Sequence, residues 1–351
     1  MEYILSFLAI ITLAIFFHEL GHYLVARFYG IAIETFSIGF GKELFGFTTK
    51  TGTRWRISLI PLGGYVQMFG HVENENEPVP SHLSGDSLKH KSTLVKLQVY
   101  LAGPLFSFLL AIPLHFVIVA QVGEYIIAPV AGEIIPGSPS EKAGMLSGDR
   151  IIAINGRHIE KTEEMSIQIA TSGGDPLAVD ILRSGEKKTL YLQAFPNKDG
   201  LFQIGVAWSL EKENIIHRIY STPGALKRSV TITWEQTKFY VESLKILKTR
   251  ESLKTLAGPV GIGKIAGDMY SSGGVIALVS FLALLTIALG VFNLFPILPL
   301  DGGWVLVSCI EGVTGKRLDK KIIYWLSLFG WAFLLVLVFL ATGNDIARIF
   351  Q

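Results

Sequence analysis

Three residues near the start of this 351-residue chain have the types and spacing to do chemistry together: His18, Glu19 and His22, within Phe16-Phe17-His18-Glu19-Leu20-Gly21-His22. Histidines four residues apart share one face of a helix, so both imidazoles reach the same ion. The glutamate between them lies beside that ion, placed to take a proton from the attacking water. This is the H-E-x-x-H zinc pattern, with the glutamate as general base. The setting is unusual, because Ile4 to Phe17 is almost wholly aliphatic or aromatic. An ionisable cluster at the end of such a run is expensive unless it has work to do. The motif fixes only three positions and recurs by accident, so the rest of the chain must decide.

The far end offers a partner. An apolar run from Val275 ends in Asn293-Leu294-Phe295-Pro296-Ile297-Leu298-Pro299-Leu300-Asp301-Gly302-Gly303. Asp301 is the expected third zinc ligand, since a carboxylate there needs a counter-charge and a divalent metal is the largest available. Two histidines and one carboxylate leave the fourth tetrahedral position open for water, the catalytic arrangement. Zinc brings the pKa of such a water to about 7 and polarises a carbonyl, and Glu19 would act as base and then as acid to the leaving amine. Pro296 and Pro299 break the helix and free backbone groups for a substrate strand. Asn293 has the chemistry to hydrogen-bond that strand or a developing oxyanion. Taken without the first motif, Asp301 reads as a helix-end residue before a Gly-Gly turn, and Asn293 as an interhelical hydrogen bonder. His71, His82 and His90 lack ligand spacing and read as surface loop. The single cysteine, Cys309, excludes an intrachain disulfide framework and reads as a small buried apolar residue.

The elements that position these residues are set by composition. Half of the residues are hydrophobic and 17% are charged, with a mean hydropathy of +0.45, which is not the balance of a soluble protein. The net charge of +2 gives no case for nucleic acid. The N-terminal run lacks a basic flank and a small-residue cleavage site, so it reads as a retained helix and not a signal peptide. The expected order is a first membrane helix over 1–25, a sheet over 30–70, a loop over 71–93 and a second span over 94–122. A compact α+β domain over 123–206 follows, with turns at Asn155-Gly156 and Ser184-Gly185. Next come an interfacial helical stretch over 207–274, with helical spacing from Pro223 to Leu253, a third span over 275–300, a loop over 301–321 and a fourth span over 322–343. Gly258-Pro259-Val260-Gly261-Ile262 reads as a turn. Lys316, Arg317, Lys320 and Lys321 place the last loop in the cytoplasm, with the sheet on the same side and the α+β domain outside.

With these pieces in hand the chain resembles the site-2 protease family of intramembrane zinc metalloproteases, in its bacterial RseP-like branch. The matching pieces are His18-Glu19-Leu20-Gly21-His22, Phe36-Ser37-Ile38-Gly39-Phe40-Gly41-Lys42, Ile60-Pro61-Leu62-Gly63-Gly64-Tyr65-Val66, Ala102-Gly103-Pro104, Gly258-Pro259-Val260-Gly261-Ile262 and Asn293-Leu294-Phe295-Pro296 through Leu300-Asp301-Gly302-Gly303. They run in family order over nearly the whole chain. The resemblance implies a polytopic α-helical membrane protein with four transmembrane helices, a membrane-associated β-sheet and an inserted PDZ-like domain. Only one PDZ domain fits between Val122 and Val275, where the best-known members carry two. It also implies a Zn2+ enzyme of the bacterial inner membrane, its active site toward the cytoplasm. Single-pass transmembrane proteins, such as trimmed anti-sigma factors or remnant signal peptides, would be its substrates. Membrane lipid surrounds it, and a peptide or substrate C-terminus would bind the PDZ domain. A helical substrate must unwind to be cut, and an edge of the 30–70 sheet, expected within Arg54 to Leu59, would capture it by strand addition. Two other readings compete: a non-catalytic zinc protein acting through PDZ-mediated peptide binding, against which the intact Glu19 argues, and a zinc transporter, which would need polar sites at several depths.

Overall fold

The computed structural model describes residues 2–71, 77–197, 202–243 and 257–349. In chain order the first elements are α1 (Glu2–Phe28), β1 (Ile33–Thr48), β2 (Arg54–Met68) and α2 (Thr93–Gln121). Then come β3 (Glu124–Ile127), β4 (Ala131–Ile134), α3 (Pro139–Lys142), β5 (Arg150–Ile154), β6 (Arg157–His158), α4 (Thr162–Ala170), β7 (Pro176–Arg183) and β8 (Glu186–Gln193). The chain continues through β9 (Phe195–Pro196), β10 (Phe202–Gln203), β11 (Val206–Trp208), β12 (Ile215–Arg218) and α5 (Thr222–Ser243), and ends with α6 (Pro259–Asn293), α7 (Asp301–Thr314) and α8 (Lys320–Ile349). Two compact units result: Met1–His115 with Ala257–Gln351, and Phe116–Leu256.

Among the described residues, four helices are long and apolar enough to cross a membrane: Tyr3–Phe28, Thr93–Gln121, Pro259–Asn293 and Lys320–Arg348. Apolar runs of this length take the one conformation that pairs every backbone group within the segment. The third begins well before the expected residue 275. Gly258-Pro259-Val260-Gly261-Ile262 is not a turn but the start of α6, with Gly258 as cap and Pro259 at the first helical position, where proline's missing N–H loses nothing. Gly274 interrupts the same helix at φ 62 and ψ −148, a conformation that glycine alone adopts cheaply. The expected loop over 301–321 also holds a helix, α7. Its opening Gly-Gly reads as a breaker by propensity, but packing decides. A Cβ at Gly302 would lie 2.2 Å from the Leu294 carbonyl oxygen, and one at Gly303 would lie 2.5 Å from the Leu298 nitrogen. Cys309, on α7, is exposed and not buried.

The 30–70 sheet is more folded than a plain hairpin. Residues 35–38 of β1 pair with both 54–57 and 64–67 of β2, while residues 45–48 pair with 54–57. The bends fall at Gly39, Gly41 and Gly63, all at positive φ. Two long strands therefore form a four-row sheet in which Arg54 to Ile57 is an inner row. The expected edge at Arg54 to Leu59 is thus wrong. The rows with one partner among the described residues are 64–68 and 45–48. The Pro61-to-Val66 stretch, expected after the strands, lies within β2.

The second unit is built on a four-stranded sheet in the order β6-β5-β7-β8. Met145, Ile151, Ile154, Met165, Val179 and Ile181 fill its core. Both expected turns are present, with Asn155 and Ser184 at φ 50 before their glycines. The domain does not stop at Val206. β11 pairs with β4, and β12 pairs with β3, so the folded region extends to Arg218 and the helical stretch after it is α5. Residues 244–253 of the expected Pro223-to-Leu253 helix lie outside the described residues.

Candidate active site

His18 and His22 lie toward the C-terminal end of α1, are 4% and 6% exposed, and have ring centroids 5.1 Å apart. Their spacing does what the helix geometry requires, turning both rings to one side. Asp301 comes from the first turn of α7. Its Oδ2 lies 3.1 Å from His18 Nε2 and its Oδ1 lies 3.2 Å from His22 Nε2. One donor atom from each of the three residues lies within 4.8 Å of the others.

The hydrogen bonds behind the rings hold both in place, and the one behind His22 fixes its tautomer. His22 Nδ1 donates to the Val99 carbonyl at 2.8 Å, so the neutral ring carries its lone pair at Nε2. His18 Nδ1 is 3.0 Å from Ser107 Oγ. His22 Nε2 thus turns its lone pair on a carboxylate oxygen that also only accepts, an arrangement that a cation between them relieves. Ligands at about 2.0–2.1 Å around a tetrahedral ion stand about 3.3 Å apart, close to both spacings to Asp301. Space is kept for the group by Gly103 of α2: a Cβ there would lie 2.2 Å from His22 Nε2 and 2.7 Å from His18 Nε2. The donor set, the tautomer and the cleared volume together fit zinc.

Glu19 faces a cavity of about 820 Å³ that also reaches His18, His22, Asp301, Asn293, Pro299, Leu300 and Gly63 to Met68. Asn293, at the end of α6, lines it while donating to the Leu289 carbonyl at 3.0 Å. Pro296 is not among the lining residues; Pro299 and Leu300 form that part of the wall. The one-partner row 64–68 flanks the cavity, and a Cβ at Gly64 would come within 3.0 Å of Glu19 Cγ.

Sequence reasoning missed two contributors. Gly103 was legible only as a packing glycine. His71, expected in a surface loop, is folded inward. Its ring stands 4.1 Å from Trp304 and 5.7 Å from Tyr100, centroid to centroid, and lines the same cavity. Burial, with the Lys96 ammonium adding to it, pushes the His71 imidazole down to about 4. No spacing rule would have found it, because its neighbours come from other helices. His90 by contrast is exposed and bonds Asp86 at 3.0 Å.

Comparison with known proteins identifies the family. The sequence pattern of peptidase family M50 matches residues 6–337. A relative in Agrobacterium fabrum is 33% identical over 365 residues, covering 99% of this chain and 96% of its own. One in Bartonella henselae is 34% identical over 356 residues, covering 94% and 98%, and one in Clostridium acetobutylicum is 33% identical over 336 residues, covering 95% and 94%. All three are named as zinc metalloproteases.

Proposed function

The chain belongs to peptidase family M50 and is a membrane zinc metalloprotease of the site-2 type, and from that premise we propose that it cuts single-pass membrane proteins within or near their spans. The observation that carries this reading is the convergence of His18, His22 and Asp301 beside Glu19 in one cavity at the end of an apolar helix. His18, His22 and Asp301 are the proposed zinc ligands. Bound there, zinc would polarise the scissile carbonyl and acidify a water. Glu19 takes a proton from that water and returns it to the leaving amine. Val99 and Ser107 hold the two imidazoles in register. Asn293 would face the substrate backbone and pair with it through its carboxamide oxygen or the N–H not given to Leu289.

Substrate capture belongs, on this reading, to the row Gly64 to Met68. A span must become extended before its carbonyl reaches the site, and unwinding in lipid leaves backbone groups that need partners. An edge strand beside Glu19 supplies them. The exposed Leu44, Phe45 and Phe47 of β1 suit a sheet set into the membrane surface. The four cations between Lys316 and Lys321 favour an active site toward the cytoplasm of a bacterial inner membrane. The second unit suits a single PDZ-like domain on the opposite side, binding a peptide or substrate C-terminus.

Cleavage of tagged single-pass proteins tests the reading. Glu19→Gln should keep zinc and lose about 10²–10⁴-fold in rate; turnover comparable to the wild type would refute the role of Glu19. Prolines placed singly at Tyr65, Val66 and Gln67 remove ladder donors and should impair cutting of helical substrates with zinc content normal. Unchanged cleavage at every one of these positions would rule out strand addition by this row.

A further inference from the structure

A protease whose site is walled by apolar helices consumes one water for every bond it cuts, and that water must be held and replaced. A second, smaller cavity of about 50 Å³ lies next to the first, and its polar lining includes Lys96, Ser308 and Glu311. The Lys96 ammonium and the Glu311 carboxylate face each other at 3.7 Å. Three residues, His71, Tyr100 and Trp304, line both cavities, so they form the partition between the two.

The size of the smaller cavity decides what it holds. A water needs about 10–15 Å³ of this kind of space, so a few waters fit while a peptide does not. Its walls carry polar partners for water, and the exposed Arg317 and Lys320 that also line it open it to solvent. The partition itself has an unmet polar group: His71 Nε2 is enclosed and has no hydrogen-bond partner among the described residues. A buried polar nitrogen in that state is satisfied in native proteins by protein or by ordered water, and here the two cavities on either side are the places for water to be. The imidazole is neutral near pH 7, so it offers one donor and one acceptor and suits passing water in either direction.

We infer that His71 is a positioning residue for hydrolysis, the hydrogen-bonding partition through which water held in the polar Lys96–Ser308–Glu311 cavity reaches the catalytic cavity. The inference rests on the proteolytic reading of the site. Each turnover draws one water through; its oxygen ends on the new carboxylate and its protons on the products, so the partition itself gains and loses nothing. His71 neither binds the metal nor touches the substrate. It acts by keeping the attacking water in supply and in place.

Two measurements on the full-length purified protein test this. The first is kinetic. His71→Phe keeps a ring against Trp304 but removes both nitrogens, and should lower kcat about tenfold with KM and zinc content unchanged. His71→Gln restores a donor and an acceptor and should recover to within about threefold of the wild type. The second needs no turnover. Hydroxyl radicals generated by a brief X-ray dose oxidise side chains beside bound water, so Tyr100 and Trp304 should be labelled in the wild type. Ser308→Leu fills the polar cavity and should cut that labelling several-fold, with a parallel fall in kcat. If His71→Phe stays within twofold of the wild-type kcat, or His71→Gln is no better than His71→Phe, or Ser308→Leu leaves the labelling unchanged, the water partition is wrong. Glu19→Gln, carried alongside, separates the two readings. Wild-type cleavage in that variant defeats the proteolytic assignment, whereas its loss together with an active His71→Phe defeats only the partition.

Discussion

Two carboxylates in different units are hidden to nearly the same degree, and they behave as opposites. Glu124, at the start of β3, has a side chain 14% exposed; that of Asp301 is 15% exposed. Glu124 is surrounded by donors. Arg228 of α5 reaches it twice at 2.7 Å, Lys161 at 2.5 Å and Tyr220 at 2.8 Å. Burial alone would raise its pKa, but these bonds outweigh that and hold it at about 2. Asp301 faces two ring nitrogens instead, and the far sides of those rings are committed to Val99 and Ser107. Equal burial therefore does not mean an equal role. A fully paired carboxylate ties elements together, here β3, α5 and the segment before α4. A carboxylate facing the lone pair of a ring nitrogen, as Asp301 faces His22 Nε2, has a geometry that a cation can complete. The same logic distinguishes the enclosed His71 from the exposed, partnered His90.

The contrast breaks most visibly on deletion. Asp301→Ala should reduce zinc in the purified protein to background by elemental analysis and abolish cleavage, with the fold retained. Glu124→Ala should do the reverse. It keeps zinc but leaves Arg228 and Lys161 without their anion, costing about 3 kcal/mol in stability, read as a lower chemical-denaturation midpoint of the second unit. Zinc retained in Asp301→Ala, or lost in Glu124→Ala, would overturn the assignment of roles. A smaller effect sharpens the geometry. Gly103→Ala puts a methyl where the two Nε2 atoms converge and should weaken zinc binding about tenfold, measured by chelator competition. Unchanged affinity would mean that the ligands sit elsewhere in the working enzyme. The smallest effect concerns pH. The folded-state pKa of Glu124, about 2, lies below its ordinary value of 4.5. Its contribution to stability is therefore full above about pH 4.5 and is lost as the pH falls toward about 2. The stability gap between the wild type and Glu124→Gln should narrow over that window; a gap that widens on acidification would contradict the pairing.

Much of this was legible along the chain because it is local. An apolar run long enough to cross a membrane can satisfy its backbone only as a helix, so all four candidate spans were visible, and the i, i+4 spacing of His18 and His22 specified a shared face before any fold was known. The glycine-bearing turns at Asn155 and Ser184 were visible for the same reason. What was misread depended on packing contacts that propensity and alternation do not encode. α7 opens on two glycines that propensity reads as a break, yet they are there to admit the backbone of residues 294–298. Arg54 to Leu59 looked like an edge because alternation specifies a strand and not its partners.

The sequence by itself thus determined which residues have the types and spacing for the chemistry and which segments are apolar enough for a membrane, since residue type and short spacing set both. Tertiary structure decided the spacing at which Asp301 meets His18 and His22 across nearly the whole chain, and it alone decided that Gly103 leaves room beside the two Nε2 atoms, that Gly64 to Met68 and not Arg54 to Leu59 forms the open row beside Glu19, and that His71 turns inward. Each of these is a contact between segments far apart in sequence, and such contacts are selected by packing, which no local pattern encodes.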